Sequence, residues 1–147
     1  VRSPLAEHMF THLAEQRGVG HRYQSSSAGC GDWHVGEEPD SRMRRVAAQR
    51  GLIYTGSACQ FQRSDFDRCD LILAMDLENR NHLRSLARSQ DDLDKIHLLR
   101  EYDPQGGPNQ GVPDPYYGGI DGFKLVYEVI ERSIRGLLDS LENEKVS

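Results

Sequence analysis

The first candidate for chemistry is an arginine at the start of a predicted helix, Arg2, followed by Ser3 and Pro4. Ser3 is a favoured N-cap residue, Pro4 suits the first helical position, and Glu7 faces the positive end of the helix dipole. The planar guanidinium of Arg2 matches two oxygens of one phosphate group, and a helix N-terminus favours anions. These residues predict an oxyanion site, although they also fit a surface arginine near a frayed terminus.

A second candidate lies far along the chain at Asp114, between Pro113 and Pro115. A carboxyl group can give a proton to a leaving oxygen and then activate a water molecule. The two prolines stiffen the loop on both sides of this carboxylate, and two aromatic residues follow at Tyr116 and Tyr117. The pattern favours an acid at the rim of a pocket, whereas Asp-Pro is also an ordinary turn dipeptide.

The elements that must position these residues alternate between helix and strand. A helix closed by Gly18 precedes a weak candidate strand at residues 23–28 and a helix over residues 39–51. The apolar run within residues 70–75 is typical of a strand that is buried on both sides of a parallel sheet. The remaining predicted elements are a helix at 77–87, a solvated loop at 89–95, a short strand at 96–99, a Gly/Pro-rich loop at 100–119 and an amphipathic helix at 121–141.

This alternation predicts an α/β fold, with three α/β/α layers around a four-stranded parallel sheet, in a single domain over residues 1–147. Phosphate-binding loops connect a strand to the helix that follows it. We therefore expect the natural protein to have roughly ten to fifteen more residues upstream of Val1, enough for the first strand and most of the phosphate loop.

The composition, 37% hydrophobic and 28% charged, is that of an ordinary globular protein. The net charge of −5 argues against a nucleic-acid partner, and the apolar runs are too short to span a membrane. Three unevenly spaced cysteines, Cys30, Cys59 and Cys69, argue against a disulfide framework and favour a cytoplasmic location. His8 and His12 have a spacing that suits zinc, but no third ligand accompanies them, so we expect no metal and no cofactor.

Several short segments together form a recognisable pattern. They are RSPLAE at 2–7, SAG at 27–29, WHVG at 33–36, PDSR at 39–42, DLILAMD at 70–76 followed by Asn79, and VPDPYYGG at 112–119 followed by GF at 122–123. In this order and spacing they resemble the low-molecular-weight protein tyrosine phosphatase family, and the first is similar to the end of its phosphate loop, C-x5-R-S-P. The resemblance covers nearly the whole chain.

The resemblance implies a mechanism and a role for each candidate residue. A cysteine thiolate would attack phosphorus and form a phosphocysteine intermediate, without a metal. Arg2 would clamp the phosphate, Ser3 would donate to the thiolate, cap the helix, or do both, and Asp114 would be the general acid and base. Trp33, Tyr116 and Tyr117 would form the walls of the substrate slot. Ser27, Asp76 and Asn79 would support the phosphate loop.

The implied substrate is a phosphotyrosine-containing protein or a small aryl phosphate, with phosphate or another oxyanion in the site. We expect a monomer or weak dimer. The nucleophilic cysteine of C-x5-R would precede Val1, and Val1 stands where members often carry a second cysteine. Cys59 replaces an arginine that many members have, and Cys30 replaces a common threonine.

Three other functions stay open at this point. A protein-arginine phosphatase on the same scaffold would depend on a loop residue just before Val1. An arsenate reductase would need two further cysteines in a disulfide relay, and Cys59 and Cys69 do not have that pattern. A chain that truly began at Val1 would be a catalytically dead module that binds phosphoproteins.

Overall fold

The computed structural model describes residues 2–26, 41–52, 61–106, 110–113 and 119–146. Helices dominate this part of the chain, with two strands near its middle. The elements are α1 (Arg2–Gln16), a 3-10 turn (Gly20–Arg22), α2 (Ser41–Gln49), α3 (Asp65–Arg68), β1 (Ile72–Ala74), α4 (Leu77–Leu86), α5 (Gln90–Asp94), β2 (Ile96–Leu98), a second 3-10 turn (Leu99–Tyr102) and α6 (Gly119–Val146). None of the helices in these ranges is both long and apolar enough to cross a membrane.

The two strands pair in parallel, with Ile72 opposite Ile96 and Ala74 opposite Leu98. The crossover between them consists of α4 and α5, as a parallel pairing requires. Successive side chains of β1 face different hydrophobic clusters, since Leu73 packs against one and Ile72 and Ala74 belong to the other. The sheet is thus covered on both faces, which confirms the predicted α/β class, while the four-stranded sheet stays a prediction.

The larger cluster forms where α1 and α2 pack against α6. The apolar stripe predicted for α6 is confirmed, and each of its members is at most 3% exposed: Phe123, Val126, Tyr127, Ile130, Ile134 and Leu137. From α1, Leu5, Met9 and Leu13 contribute at helical spacing and are equally buried. This packing fixes α1, and with it Arg2, relative to the end of the chain.

Glycines end two of these helices. Gly18 and Gly51 have φ values of +75° and +87°, which glycine adopts without strain. After α1, the N–H groups of Gly18 and Val19 bond the carbonyls of Glu15 and Ala14, the hydrogen-bond pattern of a Schellman cap. The prediction that Gly18 closes the first helix is confirmed.

Three local predictions need correction. Helix α1 begins at Arg2, so Ser3 lies in its first turn rather than at the cap. The strand predicted at residues 23–28 is not formed at residues 23–26, where the polar side chain of Ser25 lies 3.1 Å from that of Thr11. Residues 89–95 are not a solvated loop, because Ser89 caps α5 and Asp92, only 4% exposed, accepts hydrogen bonds from Arg88.

Candidate active site

The turn that follows β1 is locked by two side chains. Asp76 caps α4 by accepting a hydrogen bond from the backbone N–H of Asn79 through Oδ1 at 2.7 Å. In return, the side-chain oxygen of Asn79 accepts from the backbone N–H of Met75 at 3.0 Å. This reciprocal pattern satisfies backbone donors at the helix start and fixes the direction of the Asp76 carboxylate.

Arg2 joins this turn to a distant loop. Its Nη1 lies 2.9 Å from Oδ2 of Asp76 and donates to the carbonyl oxygen of Val112 at 2.8 Å. The side chains of Arg2 and Asp76 are 22% and 30% exposed, so the pair lies at an accessible edge of the fold. Both contacts use Nη1, whereas a guanidinium carries three further N–H groups on Nε and Nη2.

The loop segment at residues 110–113 packs closely against the turn after β1. The N–H of Val112 donates to the carbonyl of Met75 at 2.6 Å, and the Val112 side chain is 2% exposed. A Cβ atom added at Gly111 would lie 2.7 Å from both Cα and Cβ of Asp76, so only glycine fits there. Backbone contacts therefore fix the part of the loop that precedes Asp114.

A buried carboxylate lies behind this loop and was not identified from the sequence. The side chain of Asp103 is fully buried between Arg100 and Arg132 of α6, which donate to it at 3.3 Å and 3.2 Å. Burial alone would raise the pKa of the Asp103 carboxyl. Hydrogen bonds from Arg132, from the backbone N–H of Gln105 and from Arg100 outweigh burial and hold that pKa below its ordinary value.

Of the residues selected from the sequence, the structure brings Arg2, Asp76 and Asn79 to one place. Ser3 is next to Arg2 in α1. The other five predicted site residues lie outside the described part of the chain: Ser27, Trp33, Asp114, Tyr116 and Tyr117.

Sequence comparison identifies the family. The profile of the family described as "Low molecular weight phosphotyrosine protein phosphatase" matches residues 1–147. A relative described as "Low molecular weight protein-tyrosine-phosphatase", from Streptomyces coelicolor, is 44% identical over 144 residues, which are 97% of this chain and 88% of the relative. The chain belongs to the low-molecular-weight protein tyrosine phosphatase family. The enzyme class predicted from the sequence is therefore confirmed.

Solved structures of protein tyrosine phosphatases agree with this assignment. The protein tyrosine phosphatase from Entamoeba histolytica with Hepes in the active site superimposes with a TM-score of 0.91 at 33% identity, over 98% of this chain and 91% of that one. YfkJ from Bacillus subtilis superimposes with a TM-score of 0.88 at 35% identity, over 98% and 89% of the two chains. These superpositions agree with the fold and family of the chain, and the place where Arg2, Asp76 and Val112 meet is its candidate active site.

Proposed function

We propose that this protein hydrolyses phosphotyrosine in proteins, and small aryl phosphates, through a phosphocysteine intermediate, with Arg2 as the phosphate clamp and Asp114 as the general acid and base. The position of the Arg2 guanidinium carries the proposal. Its Nη1 is 2.9 Å from Oδ2 of Asp76 and 2.8 Å from the carbonyl oxygen of Val112. This one nitrogen therefore joins the start of α1, the turn after β1 and the loop that leads to Asp114.

The contacts of Arg2 suit a clamp. Asp76 fixes the side chain through Nη1, so that less rotational freedom is lost when a ligand binds. The edge formed by Nε and Nη2 has the planar geometry that matches two phosphate oxygens. The N–H groups in the first turn of α1 add partial positive charge beside it. A dianionic phosphate ester would therefore bind where α1 begins.

The loop geometry supports Asp114 as the acid. Val112 precedes Asp114 by two residues, and two residues of chain span at most about 7 Å. Because the Val112 carbonyl is held by Arg2 itself, the carboxyl group of Asp114 would lie within a short reach of a phosphate bound there. The two prolines around Asp114 would limit its movement during turnover.

The chemistry then takes two steps. A thiolate, which the C-x5-R pattern puts six residues before Arg2, attacks phosphorus while the P–O bond to the phenol breaks and Asp114 protonates the leaving oxygen. Water then attacks the phosphocysteine, Asp114 accepts a proton from it, and inorganic phosphate leaves with release of the thiolate. The positive end of α1 and Arg2 would lower the pKa of that thiol.

Other residues would shape and support the site. Trp33, Tyr116 and Tyr117 would form the walls of a slot deep enough for a phosphorylated phenol. Ser3, Ser27, Asp76 and Asn79 would support the phosphate loop and the nucleophile. We also propose that the complete fold has a sheet of four parallel strands. We further propose a cytoplasmic location, which the uneven spacing of the cysteines supports.

The test is the leaving-group dependence of hydrolysis by the full-length protein. Asp114→Asn should lower kcat/KM for phenyl phosphate, which reports the step that releases the phenol, by about 10² to 10⁴, and less for p-nitrophenyl phosphate, whose leaving group needs little protonation. Asp91→Asn, at an exposed position of α5, is the matched control and should leave both rates unchanged.

Equal rate losses for the two substrates in the Asp114 variant would contradict the acid role. Absence of turnover by the unmodified full-length protein would contradict the whole proposal. Faster hydrolysis of a phosphoarginine peptide than of a phosphotyrosine peptide would instead favour a protein-arginine phosphatase.

A further inference from the structure

The loop segment before Asp114 is held by hydrogen bonds to three separate elements. Arg100 Nη1, from the second 3-10 turn, donates to the Gly111 carbonyl at 3.2 Å. Met75, after β1, accepts from the Val112 N–H at 2.6 Å, and Arg2 of α1 donates to the Val112 carbonyl at 2.8 Å. Two of the three contacts come from residues already placed at the site. The third comes from Arg100.

The side chain of Arg100 is itself firmly held. Its Nε donates to Oδ2 of Asp103 at 3.3 Å, and the Asp103 side chain is fully buried. Asp103 also accepts from Nε and Nη2 of Arg132, both at 3.2 Å, and from the backbone N–H of Gln105 at 2.9 Å. With only 17% of its side chain exposed, Arg100 has little freedom to change rotamer.

The charges around Asp103 distinguish Arg100 from Arg132. One arginine neutralises a carboxylate, and Arg132 already meets both oxygens of Asp103. Arg100 adds a second cation to a mostly buried place, which is unfavourable unless its remaining N–H groups are used. Arg100 differs from Arg132 in that it also donates to the Gly111 carbonyl. This contact links the buried carboxylate of Asp103 to the loop segment at residues 110–113, which leads to Asp114.

We propose that Arg100, anchored on Asp103, is a positioning residue for the general acid of the phosphatase reaction. The inference rests on the proposed role of Asp114. Arg100 acts through the backbone at Gly111, three residues before Asp114, and would thereby limit the positions that the Asp114 carboxyl group can take. Displacement of a catalytic group by about 1 Å can lower a rate by about 10².

The experiment measures the ratio of kcat/KM on phenyl phosphate to kcat/KM on p-nitrophenyl phosphate in the full-length protein, because kcat/KM reports the step in which the phenol leaves. Arg100→Met should lower this ratio about tenfold, because protonation matters most for the poorer leaving group. In the Asp114→Asn background, the same substitution should leave the ratio unchanged, because the group that Arg100 positions is gone. Arg100→Lys keeps the charge beside Asp103 but loses the planar fork, and should show the same fall with a melting temperature near that of the parent.

Arg132→Met is the matched control. It removes an arginine from the same carboxylate without removing a contact to the described loop residues 110–113, so its melting temperature should fall while the substrate ratio stays near that of the parent. An unchanged ratio in both Arg100 variants, or an equal fall in the Arg132 variant, would overturn the inference. An unchanged ratio in Asp114→Asn would instead overturn the proposed acid, which separates the two failures.

Discussion

Replacing Gly111 by alanine tests whether the close packing of the loop segment at residues 110–113 against Asp76 matters for catalysis. The new Cβ would lie 2.7 Å from Cα and Cβ of Asp76 and 3.1 Å from the Met75 carbonyl oxygen. Carbon atoms in contact normally lie about 3.5 to 4.0 Å apart, so the loop must move by roughly 1 Å. Such a shift strains the Val112 hydrogen bonds to Met75 and Arg2 together.

We expect kcat/KM of Gly111→Ala to fall on the order of 10²-fold, because the proposed acid moves with the loop. This corresponds to about 2.7 kcal/mol of transition-state stabilisation. The assay is hydrolysis of phenyl phosphate by the full-length protein, with thermal unfolding measured in parallel. Gly18→Ala is the control, since it strains a left-handed glycine at the far end of α1 and contacts nothing within 4 Å.

The control should lose about 1 kcal/mol of stability and keep its kcat/KM. If the Gly111→Ala protein is folded and its kcat/KM lies within about twofold of the parent, well below the loss expected for a 1 Å shift, then close contact with Asp76 does not position the acid.

Three further predictions concern the clamp, the buried carboxylate and the packing of α6. Arg2→Lys keeps the charge but loses the planar fork, and should lower kcat/KM about 10²-fold with little change in melting temperature. Asp103→Asn should lower the free energy of unfolding at pH 7 by roughly 3 kcal/mol. Because the pKa of Asp103 lies below its ordinary value of 3.8, its stabilisation is complete above that pH and is lost as the pH falls through the lower folded value, so the two proteins should converge in acid-unfolding titrations. Gly136→Ala would overlap the Tyr102 carbonyl oxygen and should lower the melting temperature by several degrees, although alanine favours helix; an unchanged or higher value would contradict this packing.

The elements that could be predicted from the sequence are those with a strong local pattern. The unbroken apolar run of β1 and the periodic apolar stripe along α6 are both local sequence signals, and Gly18 marks a helix end by its backbone freedom. Proximity of Arg2 and Asp76 followed only from the family resemblance, because residues 74 positions apart in sequence carry no local signal of contact.

The features that the sequence analysis did not predict all involve charged side chains that become buried when the chain folds. Asp92 lies in a stretch predicted to be a solvated loop and Asp103 in the predicted Gly/Pro-rich loop, yet each is buried against arginines that neutralise it. Composition cannot distinguish a solvated aspartate from one enclosed by partners, since the distinction arises only when distant elements pack. The link from Arg100 to Gly111 was missed for the same reason.

The hydrogen bond between Arg2 and Val112 joins residues that are 110 positions apart. Closing so long a segment is entropically unfavourable, so the contact forms only once the intervening sheet and helices have already brought its ends together. Because the proposed phosphate clamp depends on this contact, we expect activity to be acquired late in folding. A species in which α1 is formed but not yet docked should be inactive, so that recovered activity would report completion of the tertiary structure.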